Sequence, residues 1–336
     1  REEDCETVDG IEVAEISENG QIIETFDERV HGRYPTEDIV DPTTGEDITY
    51  RYDVTYEYGT LEVYDQAPAT GGEISDDGSL DNSTQNTDAV AARVWAERSG
   101  SLYLRWKSYG AYSFRAGSGN WGWSDAVAYP LADENMLFTI GKILAEDGKL
   151  PVQYQIEIFG SQFLLPNYVA KGPEGANNDV VLSPYTSSYK LSGYHWNYSY
   201  ADALRYAASG LQDAQNKQYT EFVYGQYLSV PESTKQALLA FAEQKGLRSD
   251  RLTIIEDVAN AVRTSAEYDL AYPACPAGED EVVYFLTESK SGVCRHFASA
   301  ATLLYRSLGI PARYVVGYYT YAAGESWTDV KGADAH

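Results

Sequence analysis

The sequence predicts an α+β protein in which strands come first and helices follow. Val- and Tyr-rich segments fill the first two-thirds of the 336 residues, and the 29 tyrosines suit half-exposed sheet surfaces. After about residue 226, apolar residues recur at helical spacing, and a final Val- and Tyr-rich stretch follows. We therefore expect a β-rich segment and linker at 1–88, a β-sandwich-like region at 89–225 and an α+β core at 226–336.

The β-rich part begins with a predicted hairpin in the first 30 residues. Apolar side chains alternate at Ile11 and Val13, and Asn19-Gly20 is a turn signal. Residues 66–88 are rich in Gly, Ser, Asp, Asn and Thr, which is typical of a linker or long loop. Further strands are predicted at 51–65, 90–98, 101–114 and 152–160, with turns or loops around 116–125 and 171–179.

The core begins with two predicted amphipathic helices. In the segment 228–247, Pro231 stands near the helix start and Gly246 fits the helix end. In the segment 252–268, one helical face carries the apolar residues Ile254, Ile255, Val258 and Val262.

A third core helix is predicted within residues 292–311. Gly309 fits a left-handed cap, and Pro311 prevents the helix from continuing. A strand rich in Val and Tyr is predicted next, at 313–322. The buried stripe of the helix is expected at Phe297, Ala301, Leu304 and Leu308.

The composition is strongly acidic, since 25 Lys and Arg stand against 51 Asp and Glu for a net charge of −26. Such a chain repels nucleic-acid phosphates and anionic lipid headgroups, so we expect no nucleic-acid partner. No apolar run approaches the roughly 18–20 residues of a membrane span, and no signal peptide opens the chain. High acidity, many Tyr and Asn and a single Met favour an extracytoplasmic protein. Because the sequence starts at Arg1 and stops at His336, we expect a piece of a longer protein, with any targeting segment or membrane tether outside it.

Three cysteines, Cys5, Cys275 and Cys294, are too few for a disulfide scaffold, and an odd number leaves at least one thiol. One hypothesis pairs Cys5 with Cys275 and leaves Cys294 reduced. Cys294 falls in the predicted first turn of the third core helix, where unpaired N–H groups and the helix dipole favour a thiolate. Gly292 would leave room for a substrate beside the sulfur.

A nucleophilic thiolate needs a base, and four histidines are available. His296 is two residues from Cys294, but residues i and i+2 of a helix point in different directions. His31 and His195 lie in strand-like or aromatic stretches and are expected at the surface or in packing. His336 follows the last predicted strand, from which a hairpin could return it beside Cys294.

The stretch from about Val282 to His336 resembles the transglutaminase-like core, a branch of the papain-like cysteine fold. The matching elements are FL at 285–286, SGVCRHFASAATLLYRSLGIPARYVVGYY at 291–319 and DAH at 334–336. The upstream segments VPESTKQALLAFA and SLYLRWKSYGAYSF also look like bacterial membrane-associated members with a β-rich extracytoplasmic part.

The resemblance implies helices packed on an antiparallel sheet, with Cys294 as the nucleophile and His336 as its base. In the family, an aspartate on the next strand orients the histidine. The sequence ends before that strand, so the core is expected to be incomplete at its C-terminus, with the acid beyond His336. Asp329 and Asp334 lie too early for that role.

The implied reaction is acyl transfer on protein or peptide amides through a thioester. Backbone N–H groups at the helix start, that of Cys294 among them, are candidates to stabilise the oxyanion. We expect hydrolysis, as in a peptidase or amidase, rather than cross-linking. The alternative is a non-catalytic extracytoplasmic binding or scaffold module that retains the fold.

No cofactor and no metal are expected. Calcium-dependent cross-linking is a third possibility from the family, but no residue here supports it. Two acidic clusters without EF-hand spacing are expected to be solvated loops: Asp41, Glu46 and Asp47, and Asp76, Asp77 and Asp81.

Other conspicuous side chains are expected to be structural. Arg313 is expected in an ion pair at a strand start, with substrate orientation as the alternative. Arg295 and Arg306 are expected on the helix surface. Four tryptophans are expected in packing, with a carbohydrate or peptide cleft as the alternative: Trp106, Trp121, Trp123 and Trp196.

Overall fold

The computed structural model describes residues 5–8, 11–18, 21–27, 78–80, 87–115, 120–146, 148–166, 168–180, 187–194 and 214–336. Two compact units are distinguished, Arg1–Pro68 and Ala69–His336. The predicted strand at 51–65, His31 and His195 lie outside the described residues.

The first unit contains a three-stranded antiparallel sheet. Its strands follow chain order, as β1 (Cys5–Val8), β2 (Ile11–Glu18) and β3 (Gln21–Asp27). Glu18 pairs with Gln21, so the β2–β3 connection falls at the Asn19-Gly20 turn signal and the predicted hairpin is confirmed.

The second unit is built on two larger sheets. One has the order β14-β4-β7-β10-β9 and the other the order β13-β5-β6, with β8 also paired to β5, and all these pairs are antiparallel. A short parallel pair joins β11 and β12. The strands are β4 (Val90–Ala96), β5 (Gly100–Arg115), β6 (Asn120–Asp125), β7 (Val152–Ile158), β8 (Leu165–Pro166), β9 (Val169–Lys171), β10 (Ser188–Gly193), β11 (Glu267–Tyr268), β12 (Ser291–Gly292), β13 (Tyr314–Ala322) and β14 (Trp327–Lys331).

Three predicted strands of this unit are confirmed as β4, β5 and β7, but the predicted turn at 116–125 is partly wrong. Residues Asn120–Asp125 form β6, which pairs with β5. Gly and Ser made this segment look like a turn, whereas Trp121 and Trp123 alternate with them in a strand pattern. Gly122 is needed there because a Cβ atom would lie 2.8 Å from the carbonyl oxygen of Gly78.

Most of the described helices lie in the last third of the chain. Helices α1 and α2 lie in the part predicted to be β-rich and were not predicted. None of the helices in the described ranges is long and apolar enough to cross a membrane. The helices are α1 (Thr139–Glu146), α2 (Ala214–Gln226), α3 (Glu232–Gln244), α4 (Ile254–Arg263), α5 (Glu281–Tyr284) and α6 (Cys294–Ser307), with a π-helical turn at Phe285–Ser289 and a 3₁₀ turn at Gly332–Asp334.

The three predicted core helices are confirmed as α3, α4 and α6. Gly246 and Gly309 end α3 and α6 with φ values of +68° and +83°, which glycine adopts without steric cost. The apolar faces of α3 and α4 pack in the same core as α6, through Leu238, Phe241, Ala242, Ile254, Val258 and Val262.

Helix α6 is buried around more of its circumference than the predicted stripe. Phe297 and Ala301 are only half-buried because they line a cavity. Arg295 and Arg306 were predicted at the surface, and this is wrong: they are 4% and 2% exposed.

The burial of Arg306 has a clear physical basis. Its Nε donates to the carbonyl of Ala312 at 2.7 Å, and its Nη1 donates to that of Ser229 at 3.1 Å. Its guanidinium also lies 5.2 Å from the ring centroid of Trp123, within cation–π range. Burial lowers the pKa of Arg306 to about 10, so it remains charged at neutral pH.

A half-buried carboxylate joins the core helices to the β5 sheet. Asp280 caps α5 by accepting the N–H groups of Val282 at 2.9 Å and Val283 at 3.2 Å. It also accepts the hydroxyl of Tyr112 from β5 and that of Thr234 from α3. This capping interaction fixes where α5 begins relative to the sheet.

The last two strands extend different sheets. Strand β13 pairs with β5 from Tyr314 opposite Tyr109 to Ala322 opposite Gly100, while β14 pairs with β4. The predicted core is therefore hydrogen-bonded to strands of the predicted β-sandwich-like region. The division at 1–88, 89–225 and 226–336 stays a prediction.

Candidate active site

A cavity of about 750 Å³ lies beside the start of α6, against α4, β13 and the last residues of the chain. Cys294 and His336 both line it, so the structure brings the two predicted site residues to one cavity. A concave site of this size with few polar groups is typical of small-ligand and substrate sites, which span ~300–1,000 Å³. Most of its wall is apolar, including Leu104, Val262, Leu270, Ala301 and Val316.

Cys294 is the first residue of the 14-residue helix α6. Its sulfur therefore lies at the end of the helix where unpaired N–H groups and the dipole favour a negative charge. A thiolate is the nucleophilic form of cysteine, so this position suits a reactive thiol.

His296 holds the first turn of α6 in place. Its Nδ1 accepts the backbone N–H of Val293, and its Nε2 faces the carboxylate of Glu281. Both ring nitrogens are thus engaged in the protein interior, where His296 is 1% exposed. The prediction that His296 is not the partner of Cys294 agrees with this geometry.

Gly292 has a different role from the predicted one. A Cβ atom at this position would lie 2.9 Å from both Cγ and Nδ1 of His296. The glycine therefore makes room for the His296 ring, rather than for a substrate, and the ring in turn positions the helix start.

His336 is held at the outer edge of β13. Gly317 and His336 exchange two backbone hydrogen bonds, each 2.9 Å long. The imidazole lies beside two tyrosines, with ring centroids 5.8 Å from that of Tyr103 and 6.1 Å from that of Tyr319. Partial burial disfavours the charged ring and lowers the pKa of His336 below its usual 6.5.

Tyr268 is a site residue that the sequence did not reveal. The parallel pairing of β11 with β12 places Tyr268 opposite Gly292. Its hydroxyl is close enough to Cys294 for the thiol to influence the pKa of Tyr268. Burial, and then the proximity of Cys294, raise the pKa of Tyr268, so it keeps its proton at neutral pH.

The second described thiol has a very different environment. Cys275 is a thiol whose pKa is raised to about 12, first by burial and then by the charges of Glu281 and Glu279. The side chain of Cys5 lies outside the described residues, so its pairing with Cys275 stays a hypothesis.

The two aspartates nearest in sequence to His336 are engaged elsewhere. Asp329 pairs with Arg93 at 2.8 Å, and Asp334 accepts the backbone N–H of Lys331 at 2.8 Å. No Asp or Glu occurs among the described residues that line the cavity. The expectation that the orienting acid lies beyond His336 stays a prediction.

The other conspicuous side chains pack as predicted where they are described. Arg313 forms an ion pair with buried Asp179, with Nη1 2.9 Å from Oδ1, which confirms the predicted ion pair. Trp123 is buried and donates from Nε1 to Ser299 at 2.8 Å. Trp106 and Trp121 pack against the same core, and Trp196 lies outside the described residues.

No cluster of three or more metal-ligating side chains occurs in the described ranges. The two acidic clusters singled out in the sequence lie outside those ranges.

Sequence comparison classifies the part of the chain that carries the cavity's two predicted site residues. A family model described as the transglutaminase-like superfamily matches residues 240–336. These residues form a transglutaminase-like domain. The predicted resemblance is thus confirmed, and the match includes Cys294, α6, β13 and His336.

The fold resembles two crystal structures of the periplasmic domain of TgpA from Pseudomonas aeruginosa. One superposes with a TM-score of 0.52 over 74% of this chain and 82% of that chain. The other, bound to ethylmercury, has a TM-score of 0.50 over 74% of this chain and 84% of that chain. Sequence identity is 19% in both, so the likeness shows the fold alone. The predicted α+β class is confirmed. The superposition covers 74% of this chain, so it also includes residues upstream of the transglutaminase-like domain.

A short segment of the chain is similar to another kind of protein. Fifty-one residues are 57% identical to the DNA-directed RNA polymerase subunit beta' of Clostridium botulinum, which is 15% of this chain and 4% of that protein. A 48-residue match to the same subunit of Clostridium novyi is 60% identical and again covers 4% of it. The chain therefore spans about 4% of the length of these curated relatives.

Proposed function

We propose that the transglutaminase-like domain carries a cysteine-dependent acyl-transfer site for protein or peptide amides. The observation that supports this most is the position of Cys294, at the start of α6 and in a cavity that His336 also lines. Tyr268 adds a protonated hydroxyl next to the sulfur. Cys294 is the nucleophile in this proposal, and His336 is the general base.

The reaction proceeds in two halves. The Cys294 thiolate attacks the amide carbonyl, a C–S bond forms, and the carbonyl oxygen becomes an oxyanion. The backbone N–H of Cys294 and the hydroxyl of Tyr268 donate hydrogen bonds to that oxygen. The C–N bond then breaks as protonated His336 gives its proton to the leaving amine, and a thioester remains.

We propose hydrolysis as the second half. Water attacks the thioester and passes its proton to His336, the C–S bond breaks, and an acid leaves while the thiolate returns. An amine acceptor would instead give transamidation. The two are separated by incubating a glutamine-containing peptide with a labelled amine, with and without calcium. We expect release of ammonia and acid, without calcium-dependent incorporation of the amine.

We further propose an extracytoplasmic location, with a membrane tether outside these residues. The similar TgpA domains are named as periplasmic, and the acidic composition is compatible with the same side of the membrane. Labelling of the intact protein in whole cells by a membrane-impermeant lysine reagent tests this. Labelling only after lysis would overturn it.

The activity proposal is tested by the pH dependence of Cys294 alkylation with iodoacetamide, read residue by residue by mass spectrometry. Cys275 is the internal reference, since its raised pKa of about 12 keeps it slow at neutral pH. We expect Cys294 to react well below pH 8, and His336→Ala to lose most of that reactivity.

Reaction of Cys294 only near the ordinary thiol pKa of about 8.5 would overturn the enzyme proposal. The same holds if His336→Ala leaves the pH profile unchanged. Either result would favour the non-catalytic binding or scaffold module.

A further inference from the structure

The described residues that line the Cys294 cavity include arginines and no carboxylates. Arg105, Arg263 and Arg295 line it, and its described lining residues include no Asp, Glu or Lys. The whole chain has the opposite balance, with 51 acidic against 25 Lys and Arg residues. A ligand that enters this cavity therefore meets positive charge at three points of a mostly apolar wall.

Arg105 contributes a charge that is only partly offset, because the Asp179 carboxylate that attracts it also pairs with Arg313. Its Nη1 and Nη2 donate to the backbone carbonyls of Asp179 at 3.0 Å and Asn178 at 3.1 Å, and its Nε is buried with no partner among the described residues. The Asp179 carboxylate is bound by Arg313 at 2.9 Å. Two guanidinium groups thus share one carboxylate, which leaves one positive charge beside the cavity. Burial lowers the pKa of Arg105 to about 10, and the group is still charged at neutral pH.

The other two arginines also contact only neutral oxygens. Arg295 donates to the carbonyl of Ser79 at 3.2 Å, and Arg263 donates to the amide oxygen of Asn260 at 3.1 Å. In the described part of the chain, neither has a carboxylate within ion-pair distance. Arg263 is exposed, whereas Arg295 is 4% exposed. An uncompensated charge that is buried is costly, and an anionic ligand relieves that cost.

Strand register places Arg105 in line with the proposed base. Arg105 lies opposite Gly317, and Gly317 lies opposite His336. Directly opposed residues present their side chains on the same face, and two strand spacings of ~4.8 Å place the backbones of Arg105 and His336 about 10 Å apart. Gly317 puts no side chain between them. A Cβ atom there would lie 1.9 Å from the carbonyl oxygen of Leu104.

We propose that this cavity selects ligands that carry a carboxylate next to the amide presented to Cys294. The proposal rests on the proposed function, because it names the acyl donor of that site. A carboxylate in the cavity accepts charge-assisted hydrogen bonds from groups that have donors to spare, since a guanidinium has five N–H donors and Arg105 uses two. An acidic side chain and a free chain end both supply this chemistry.

Two alkylating reagents of similar size report the sign of the charge at Cys294. Iodoacetate is an anion and iodoacetamide is neutral. The rate of Cys294 with iodoacetate is divided by its rate with iodoacetamide. The same quotient for 2-mercaptoethanol normalises this ratio, which then reports the electrostatic potential at the sulfur. We expect this normalised ratio to be about 10 at low ionic strength and to fall at high salt. A ratio of one or less would overturn the proposal.

A matched pair of variants assigns the effect to the cavity. Arg263→Gln removes a lining charge and keeps an amide that can contact Asn260, so the ratio should fall several-fold. Arg248→Gln changes the net charge equally at a residue that is exposed like Arg263, but Arg248 pairs with Asp250 at 2.6 Å and does not line the cavity. It should leave the ratio unchanged, and equal effects of both variants would contradict the proposal.

A binding measurement tests the carboxylate preference in a variant that lacks the reactive thiol. Calorimetry on Cys294→Ala compares three peptides: one with Glu beside Gln and an amidated end, one with no acidic side chain and a free end beside Gln, and a neutral control. We expect at least about tenfold tighter binding of one acidic peptide, which identifies the source of the carboxylate. Equal affinities for all three would overturn the proposal.

The two proposals fail in distinguishable ways. Rapid alkylation of Cys294 by iodoacetamide, with equal peptide affinities, keeps the acyl-transfer proposal and overturns the carboxylate preference. Carboxylate-dependent binding with an inert Cys294 overturns the acyl-transfer proposal and keeps the ligand preference.

Discussion

His296 Nε2 lies 3.3 Å from Glu281 Oε1, and both residues are buried. The same ring accepts the backbone N–H of Val293 at Nδ1, with a distance of 3.1 Å. Because Nδ1 is the acceptor, the ring proton is on Nε2 and points at the carboxylate. The pair therefore ties α5 to the turn of α6 that carries Cys294.

Removal of the Glu281 carboxylate should weaken the contact between α5 and the first turn of α6. Glu281→Ala leaves the buried Nε2–H of His296 without its acceptor, and we expect a loss of about 1–3 kcal/mol in the free energy of unfolding. Glu281→Gln keeps an acceptor and should cost less. Urea denaturation measures both. Both variants should also lower the pKa of Cys275, which the Glu281 charge helps to raise, and an unchanged Cys275 alkylation rate would contradict this.

A methyl group at Gly292 should disturb the same turn. In Gly292→Ala the new Cβ lies 2.9 Å from the His296 ring, so the ring or the helix start must shift, at a cost of about 1–3 kcal/mol. Alkylation of Cys294 should slow as well. Gly225→Ala is the matched control, because its Cβ in α2 meets nothing within 4 Å and should be neutral or stabilising.

Loss of the Tyr268 hydroxyl should affect rate rather than folding. Tyr268→Phe keeps the ring, whose centroid lies 6.3 Å from that of Phe297, and removes a donor to the oxyanion. We expect kcat to fall by about 10–100-fold with an unchanged melting temperature. Tyr321→Phe, at a residue that is 61% exposed and does not line the cavity, should change neither. Full activity of Tyr268→Phe would remove Tyr268 from the mechanism.

The pH dependence of activity should reflect the desolvated imidazole. Burial disfavours the charged form of His336, so protonation needs a lower pH than usual and its pKa falls below 6.5. The neutral base thus persists to lower pH, and the acid limb of kcat/KM should lie below pH 6.5. NMR titration of His336 in Cys294→Ala measures the pKa of the imidazole without any contribution from the thiol. A pKa at or above 6.5 in that variant would contradict the expectation.

Substitution of Arg306 should destabilise the core strongly. Arg306→Ala removes the donor to the carbonyls of Ala312 and Ser229 and the contact with Trp123. We expect a loss of about 2–4 kcal/mol in the free energy of unfolding. Arg248→Ala removes only an exposed ion pair and should change stability by about 0.5 kcal/mol or less. Urea denaturation measures both losses, and similar denaturation midpoints for the two variants would contradict this expectation.

Local signals explain what could be predicted from the sequence. The end of α6 follows from Gly309 and Pro311, and its start from the run around Gly292, so Cys294 could be placed at a helix N-terminus. The hairpin at Asn19-Gly20 is equally local.

Features that depend on distant contacts were missed or wrong. Tyr268 reaches Cys294 only through a two-residue parallel pairing with a segment more than 20 residues away. Arg306 was placed at the surface because its carbonyl partners lie in other loops. Arg105 joins the cavity through the register of β5 with β13, which no local pattern encodes.

The arrangement of β13 and β14 limits how this protein can be recombined. An exchange that moved residues 226–336 alone into another gene would carry Cys294 and His336 but leave behind β5, against which β13 pairs, and β4, against which β14 pairs. Both transplanted strands would then present open edges, which invite aggregation. The smallest portable unit therefore starts no later than Val90, so the transglutaminase-like domain and its β-rich neighbour are expected to be inherited together.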